Sequence, residues 1–234
     1  MSYLVFDIET IGKSYEDFDD KSREIFREWA SREAKTDEEM ERSLEQIKQG
    51  LPFSPFLGEI VAIAVMNGQE EGGVYFQAPD SDILDFEDGE IKYRVGTEYE
   101  ILERFWDIAR HYSVFATFNG RGFDVPYLMI RSAVNKVKPT QNLMSNRYLS
   151  LQKGVQHVDL QDQLGFYGAV QRRPKLHFVA QAFGIESPKK GEIEGAQVPK
   201  AFRDKRYKEI AEYCMDDVIA TRKLYEYWNE YLNL

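Results

Sequence analysis

Two acids stand two residues apart near the start of this 234-residue chain, in the stretch Tyr3-Leu-Val-Phe-Asp7-Ile-Glu9-Thr10. The residues before them are apolar in the manner of a buried strand, where positions i and i+2 point to one face. Asp7 and Glu9 therefore project together, about 7 Å apart along the strand, while Ile8 turns back to the core. Carboxylates so placed repel one another unless a cation lies between them. Oxygen-only ligands suit Mg²⁺ or Mn²⁺ better than zinc. A plainer alternative stays open on this stretch alone: Asp7 starts a turn and Glu9 is solvated.

Two further places carry chemistry of the same kind. In Thr117-Phe-Asn-Gly-Arg-Gly-Phe-Asp124-Val-Pro, glycine-rich backbone turns a corner and an acid stands where a helix should begin. Asp124 is a good helix N-cap there, and one oxygen could cap while the other faces a metal. Phe123 is core, or a ring on which a base stacks. Nearer the C-terminus, Ile210, Tyr213, Asp217, Ala220 and Leu224 recur at helical spacing and share one face. A carboxylate in an apolar stripe costs several kcal/mol unless partnered, so Asp217 calls for a cation or a donor. Tyr213 lies one turn away and either bonds Asp217 for stability or serves the same site. Asp216 points about 100° round the helix and reads as solvated. Asp7, Glu9, Asp124 and Asp217 with Tyr213 are what a two-metal phosphodiesterase needs, with two divalent ions about 4 Å apart.

In order and spacing, Phe-Asp7-Ile-Glu9-Thr, Asn119-x-x-x-Phe123-Asp124-x-Pro-Tyr-Leu and Tyr213-x-x-x-Asp217 resemble the three motifs of the DEDD superfamily of 3′–5′ exonucleases, tyrosine branch. The chain is most similar to stand-alone prokaryotic proteins akin to the proofreading domain of family B DNA polymerases. His157-Val-Asp-Leu160, Phe183-Gly-Ile185 and Gly195-Ala-Gln-Val198 resemble that subgroup as well. The likeness runs from residue 3 to about 230. It implies an RNase-H-like fold and hydrolysis of single-stranded nucleic acid from the 3′ end, DNA ahead of RNA, with release of nucleoside 5′-monophosphates. It also implies two Mg²⁺ or Mn²⁺ ions, with Asp7 bridging both, Glu9 and Asp217 completing the site of the attacking water, and Asp124 on the second ion. By the same resemblance Tyr213 orients that water, a role histidine fills in the sister branch, and Thr10, Asn119 and Phe123 contact the strand.

The elements that must position these residues follow from patterning. After the first strand comes a polar insert, 13–50, read as a helical hairpin. Ile25, Phe26 and Trp29 share a face of its first helix, and Thr36-x-x-Glu39 caps a second carrying Met40, Leu44 and Ile47. Glu59–Val65 and Gly73–Ala78 read as a hairpin about Asn67-Gly68. The Asp/Glu/Gly-rich 79–96 reads as a surface loop or short edge ribbon. Thr97-x-x-Glu100 opens a helix that buries Ile101, Leu102, Phe105, Trp106 and Ala109. Strands at 113–118 and 157–160 and helices at 125–135, 161–169, 175–183 and 204–231 complete the pattern, with Gly184 and Pro188 as breaks and 185–203 as a connector. The expectation is one α/β domain over 1–234, a mixed five-stranded sheet flanked by helices, with the helical insert after the first strand.

Composition bounds the rest. The 43% hydrophobic and 30% charged content is that of an ordinary globular protein, with no apolar run of membrane-span length and no leader pattern before the first strand. A single cysteine, Cys214, fits a reducing cytoplasm. The three histidines are scattered and suggest no zinc site. A net charge of −10 argues against general attraction to nucleic acid, yet it is uneven. Residues 13–50 hold twelve acids against eight bases. Residues 125–158 hold Arg131, Lys136, Lys138, Arg147 and Lys153 and no acid. With Arg172, Arg173 and Lys175 these make a candidate path for the strand, Arg131, Lys136 and Lys138 foremost. Rival readings are an exoribonuclease, a binding module without chemistry, and a phosphohydrolase of small nucleotides.

Overall fold

In the computed structural model, which describes residues 2–172, 174–185 and 193–233, seven strands form one mixed sheet. They are β1 (Tyr3–Gly12), β2 (Gly58–Asn67), β3 (Gly72–Phe76), β4 (Phe86–Asp88), β5 (Ile91–Val95), β6 (Val114–Thr117) and β7 (Gln156–Asp159), in the order β4-β5-β3-β2-β1-β6-β7. Strand β1 runs antiparallel to β2 and parallel to β6, so it is interior on both sides. Both faces of the sheet are covered, which is why the Tyr3–Phe6 run is apolar without alternation.

The helices are α1 (Asp20–Ser31), α2 (Asp37–Gly50), α3 (Glu98–Ala109), α4 (Asp124–Val134), α5 (Leu160–Leu164), α6 (Leu176–Ala182), α7 (Val198–Arg203) and α8 (Tyr207–Tyr231). Helices α3 and α4 cover one face. There Leu4, Phe6 and Ile8 pack with Ile101, Phe105 and Leu128, and Phe6 meets Phe105 edge-on with centroids 5.1 Å apart. Helix α8 covers the other face, where Val5 packs with Ile210, Met215 and Val218. The period of two along β1 thus sends Leu4, Phe6 and Ile8 to one side and Val5, Asp7 and Glu9 to the other. The acids continue the apolar row that faces α8.

The sheet has two strands beyond the five expected. Both come from 79–96: β5 adds in parallel to β3, and β4 pairs back onto β5. The alternation of Ile91-Lys-Tyr-Arg-Val95 is masked in sequence by its acidic neighbours, since Tyr93 alone of the five is fully buried. Its ring stacks on Phe86 with centroids 4.4 Å apart. The helix expected over 161–169 ends at Leu164, because Phe166 and Tyr167 take left-handed φ after Gly165. In the insert, Asp19 and Thr36 cap α1 and α2 through the amides of Ser22 and Glu39. Of the expected α1 face only Phe26 is buried, beside Ala30, while Ile25 and Trp29 are exposed. Helix α2 buries no residue fully. Arg173 and the 186–192 part of the connector, Pro188 included, lie outside the described residues.

The basic stretch is corrected most. Arg131 is buried and forms a fork with Glu98 of α3, Nε to Oε1 at 2.8 Å and Nη2 to Oε2 at 2.6 Å. Glu98 also accepts the Ile60 amide of β2 and the Asn135 side chain, so the pair ties α3, α4 and β2 together. A guanidinium so committed is structural. Lys136 and Lys138 lie past the far end of α4, a helix about 16 Å long. They border a hollow shared with Tyr99, Glu103 and Arg110. Neither lysine lines the cleft of the acids described below. Because an unpaired charge would remain in the core, Glu98→Ala should lower the unfolding free energy by about 3–5 kcal/mol. Asp107→Ala, which breaks the exposed 3.2 Å pair with Arg110, should cost no more than about 1 kcal/mol. Urea denaturation compares them, and equal small losses would remove the buried fork from what holds α3 to α4.

Candidate active site

The acids meet where β1 leaves the interior. Pairing of β1 with β2 slips between Glu9 and Thr10, which face Ala62 and Ile60. This bulge leaves Val61 without a β1 partner and shifts the register at the site, the pairing resuming through Gly12 and Gly58. The Thr10 hydroxyl donates to the Pro52 carbonyl at 2.8 Å, so the strand end is pinned to the end of the insert.

Asp124 does not cap its helix as the sequence suggested. Helix α4 opens at Asp124 itself without a side-chain cap, and the carboxylate reaches across to β1, where Oδ1 accepts the Ile8 amide at 3.2 Å. That bond places Asp124 beside Asp7. From α8 come Tyr213 and Asp217, one turn apart, their side chains hydrogen-bonded to each other. Asp217 is half-buried, as is Asp216. Under Asp7 sits the buried Cys214, its Sγ 3.5 Å from the Asp7 carbonyl and 3.9 Å from Oδ2. Ligand-type atoms of Asp7, Glu9 and Cys214 all lie within 4.8 Å of one another. Cys214 was not singled out by sequence for this place, though its position three residues before Asp217 puts it on the sheet-facing side of α8.

The electrostatics follow from this crowding. Burial holds the Asp7 carboxyl well above the usual range, and the charges of Asp124, Glu9 and Asp217 push it further. Burial drives Asp124 up to about 7, against the opposing pull of its own amide and that of Ile8. Tyr213 is raised by burial and then by Glu9, Asp217 and Asp7, and the Cys214 thiol by burial and then by Asp7 and Glu9. Both groups therefore stay protonated at neutral pH. The largest influences on Asp7 are burial and three more carboxylates, with no basic group among them. A hard divalent cation fits this donor set, because it would supply the charge that the side chains lack.

The acids floor a cleft of about 530 Å³ lined by Asp7, Glu9, Asp124, Asp217, Thr10, Asn119 and Phe123 among others. Of the sequence candidates it gathers every acid and these three neighbours; Tyr213 stands behind the lining, its hydroxyl next to Gly195, and Arg131, Lys136 and Lys138 are left out. Phe53, which the sequence reading passed over, belongs to it. Its ring is largely exposed and meets Phe123 with centroids 6.2 Å apart. An aromatic between two prolines in Pro52-Phe-Ser-Pro55 was the available signal. The opposite wall is main chain, Gly195 and Ala196 leading into α7. His157 is placed elsewhere. Its Nδ1 lies 3.0 Å from the Leu143 carbonyl and its Nε2 2.8 Å from the Thr117 hydroxyl. A carbonyl only accepts, so Nδ1 carries the hydrogen. Burial lowers this imidazole to about 4, which makes it a neutral internal clamp.

Comparison with known proteins agrees with this architecture. DNA polymerase 1 of Saccharolobus solfataricus is 49% identical over 45 residues, which are 19% of this chain and 5% of that protein. The family B DNA polymerase from the hyperthermophilic archaeon Pyrobaculum calidifontis superposes with a TM-score of 0.57 at 20% identity, over 97% of this chain and 24% of that chain. The shared feature is the fold, a mixed sheet flanked by helices of the RNase-H-like kind, and the chain spans only a small part of either polymerase. A family model described as a predicted 3′–5′ exonuclease related to the exonuclease domain of PolB matches residues 55–231. Asp7 and Glu9 lie ahead of that span, and Asp124, Tyr213 and Asp217 lie within it. The chain belongs to this family of predicted 3′–5′ exonucleases related to the PolB exonuclease domain.

Proposed function

We propose that the chain is a metal-dependent 3′–5′ exonuclease of the tyrosine branch, acting on single-stranded nucleic acid, DNA ahead of RNA. One observation carries the reading. Asp7, Glu9, Asp124 and Asp217 converge from within β1 and from two helices on one cleft, with the Tyr213 hydroxyl beside them. Two Mg²⁺ or Mn²⁺ ions bound there would supply Lewis-acid charge to the attacking water and to the leaving oxygen.

The side chains divide the remaining work. Asp7, whose strongest electrostatic neighbours are the other three acids, would be the group shared by the ions, with Glu9 and Asp217 serving the site of the attacking water and Asp124 the second. A water oxygen attacks the terminal phosphorus and the 3′ oxygen of the preceding nucleotide leaves with the bonding pair and takes up a proton. The products are a nucleoside 5′-monophosphate and a strand shortened by one residue with a new 3′ hydroxyl. Tyr213 stays neutral in this environment, so it holds the water by hydrogen bonding rather than acting as a phenolate base. Phe53, largely exposed, and the half-buried Phe123 offer ring surface at the cleft, the means by which single strands are held without sequence preference. The DNA polymerase relatives favour DNA over an exoribonuclease role. The packed set of acids favours chemistry over a binding module, since like charges crowded this way repel one another and raise Asp7 unless a cation joins them.

Oligonucleotides labelled at the 3′ or the 5′ end, DNA beside RNA, should lose single nucleotides from the 3′ end only, and only with Mg²⁺ or Mn²⁺. Asp7→Asn should slow this by roughly a thousandfold or more, several kcal/mol of transition-state stabilisation. A folded Asp7→Asn protein with near-normal turnover would sink the mechanism. Hydrolysis of mononucleotides alone would replace the polymer by a small-nucleotide substrate.

For Tyr213→Phe the expectation is a lower kcat with little change in KM, because orientation of water acts in the transition state. Stability should fall by no more than about 1–1.5 kcal/mol, one hydrogen bond. A lower melting temperature with turnover intact would make the tyrosine structural.

The acids also predict how stability varies with pH. Asp124 titrates near 7 when folded against an ordinary 3.8, and Asp7 is shifted in the same direction. The folded state then binds these protons more tightly than the unfolded chain, a contribution complete below about pH 4 and lost as pH rises through about 7. Without divalent ions, the melting temperature should fall between pH 5 and 8. Mn²⁺ should raise it, most at the upper end, where the acids are charged. A Mn²⁺ effect that is absent or independent of pH would place the ions elsewhere.

A further inference from the structure

Behind the loop that delivers Asn119, Phe123 and Asp124 lies a fifth acid, Asp159, which is 3% exposed. It stands at the end of β7, directly across the parallel pairing from Thr117 of β6. Its two oxygens are divided between two segments of chain. Oδ1 accepts the Asn119 amide at 2.9 Å and the Gln161 amide at 3.0 Å. Oδ2 accepts the Arg121 amide at 2.9 Å. One carboxylate therefore caps α5 and fastens two alternate amides of the loop that leaves β6.

That loop needs fastening. Asn119 has a left-handed φ of +65°, which asparagine tolerates better than other L residues but which remains less favourable than the right-handed or extended regions. A Cβ at Gly120 would fall 2.2 Å from the Thr117 hydroxyl, so the next residue is glycine by necessity. From that corner the chain folds on itself, with Gly122 and Phe123 amides donating to the Asn119 carbonyl and Val125 donating to Gly120. The position of Asp124 against β1 follows from the same corner, since nothing but this turn separates Asn119 from Asp124.

We propose that Asp159 is a positioning residue of the exonuclease site. It fixes the 119–123 corner so that Asn119 and Phe123 face the strand and Asp124 reaches the Ile8 amide. The inference rests on the exonuclease reading of the cleft. Asp159 touches no substrate in this role and lines no part of the cleft. It acts through the two amides, and both of its oxygens are needed. An amide in its place would turn an NH₂ group towards one of the N–H donors and lose the bridge.

Asp159→Asn tests this through two independent readouts. In amide hydrogen exchange, Asn119 and Arg121 should exchange at least about tenfold faster than in the wild type, the loss of a charge-assisted bond at each, with β1 and β2 amides unchanged. In steady-state kinetics on a single-stranded oligonucleotide, kcat/KM should fall by about tenfold or more. The Mn²⁺ concentration for half-maximal rate should rise, because Asp124 is displaced. Ser132→Ala removes a hydroxyl that bonds Trp106 in the other face of the core; it should lower stability and leave that Mn²⁺ dependence alone. Where Asp159→Asn does not fold, Asp159→Glu keeps the charge and moves the oxygens, and reads the same amides. Retained protection at Asn119 and Arg121, or kcat/KM within twofold of the wild type, would overturn the anchor while leaving the exonuclease reading intact. Wild-type protein that digests no oligonucleotide would instead overturn the reading beneath it, whatever the amides show.

Discussion

Like charge brought together in a dry place is the constraint on which this structure turns. Asp7 and Glu9 sit on the face of β1 that continues the Val5 row under α8, and Asp124 and Asp217 are brought to the same point. Nothing in the pairing of β1 requires acids there, and burial first, then neighbouring carboxylates, raise Asp7 and Asp124. The rest of the fold absorbs that cost. Two apolar layers grip β1 from both sides, the Ile8 amide holds one oxygen of Asp124, and Cys214 presents a neutral thiol where a further charge would add to the repulsion. The acids are thus kept close by a scaffold rather than by attraction among themselves.

The walls of the cleft have separate origins. One comes from the turn after the helical insert, where Pro52 is tied to Thr10 and Phe53 meets Phe123. The insert is otherwise a polar hairpin with few buried side chains, so its contribution to the site is concentrated at its C-terminal end. The other wall is the main chain of Gly195 and Ala196. A Cβ at Gly195 would lie 3.6 Å from the Tyr213 hydroxyl, an ordinary contact, so glycine there leaves room beside that hydroxyl.

Much of this was legible before the structure. The i, i+2 acids at a strand end and the Tyr213–Asp217 helical step each stated a direction for a side chain, and directions survive folding. Asp124 was found by the same route, although its partner was mistaken. A cap bonds locally and can be guessed from spacing, whereas the Ile8 amide is 116 residues away. Arg131 was misread for a related reason. Sequence shows that Arg131 has no acid nearby along the chain, but its acid, Glu98, lies 33 residues earlier on another helix. Charge patterns along a chain describe a surface only where side chains are exposed, and Arg131 is not. Phe53 was missed because an aromatic in a proline-rich turn has no periodicity to betray which way it faces.

The four acids are drawn from residues 7, 9, 124 and 217, and the last of them rides on the helix that closes one face of the sheet. A nascent chain therefore carries Asp7 and Glu9 from the outset without any means of using them. Synthesis must pass Asp217 and α8 must dock on β1 before the carboxylates meet, since domains fold as units once their long-range contacts can form. The four-acid cluster would then form all at once when α8 docks, rather than growing with chain length. A partly made chain would hold two of the acids without the cluster they belong to.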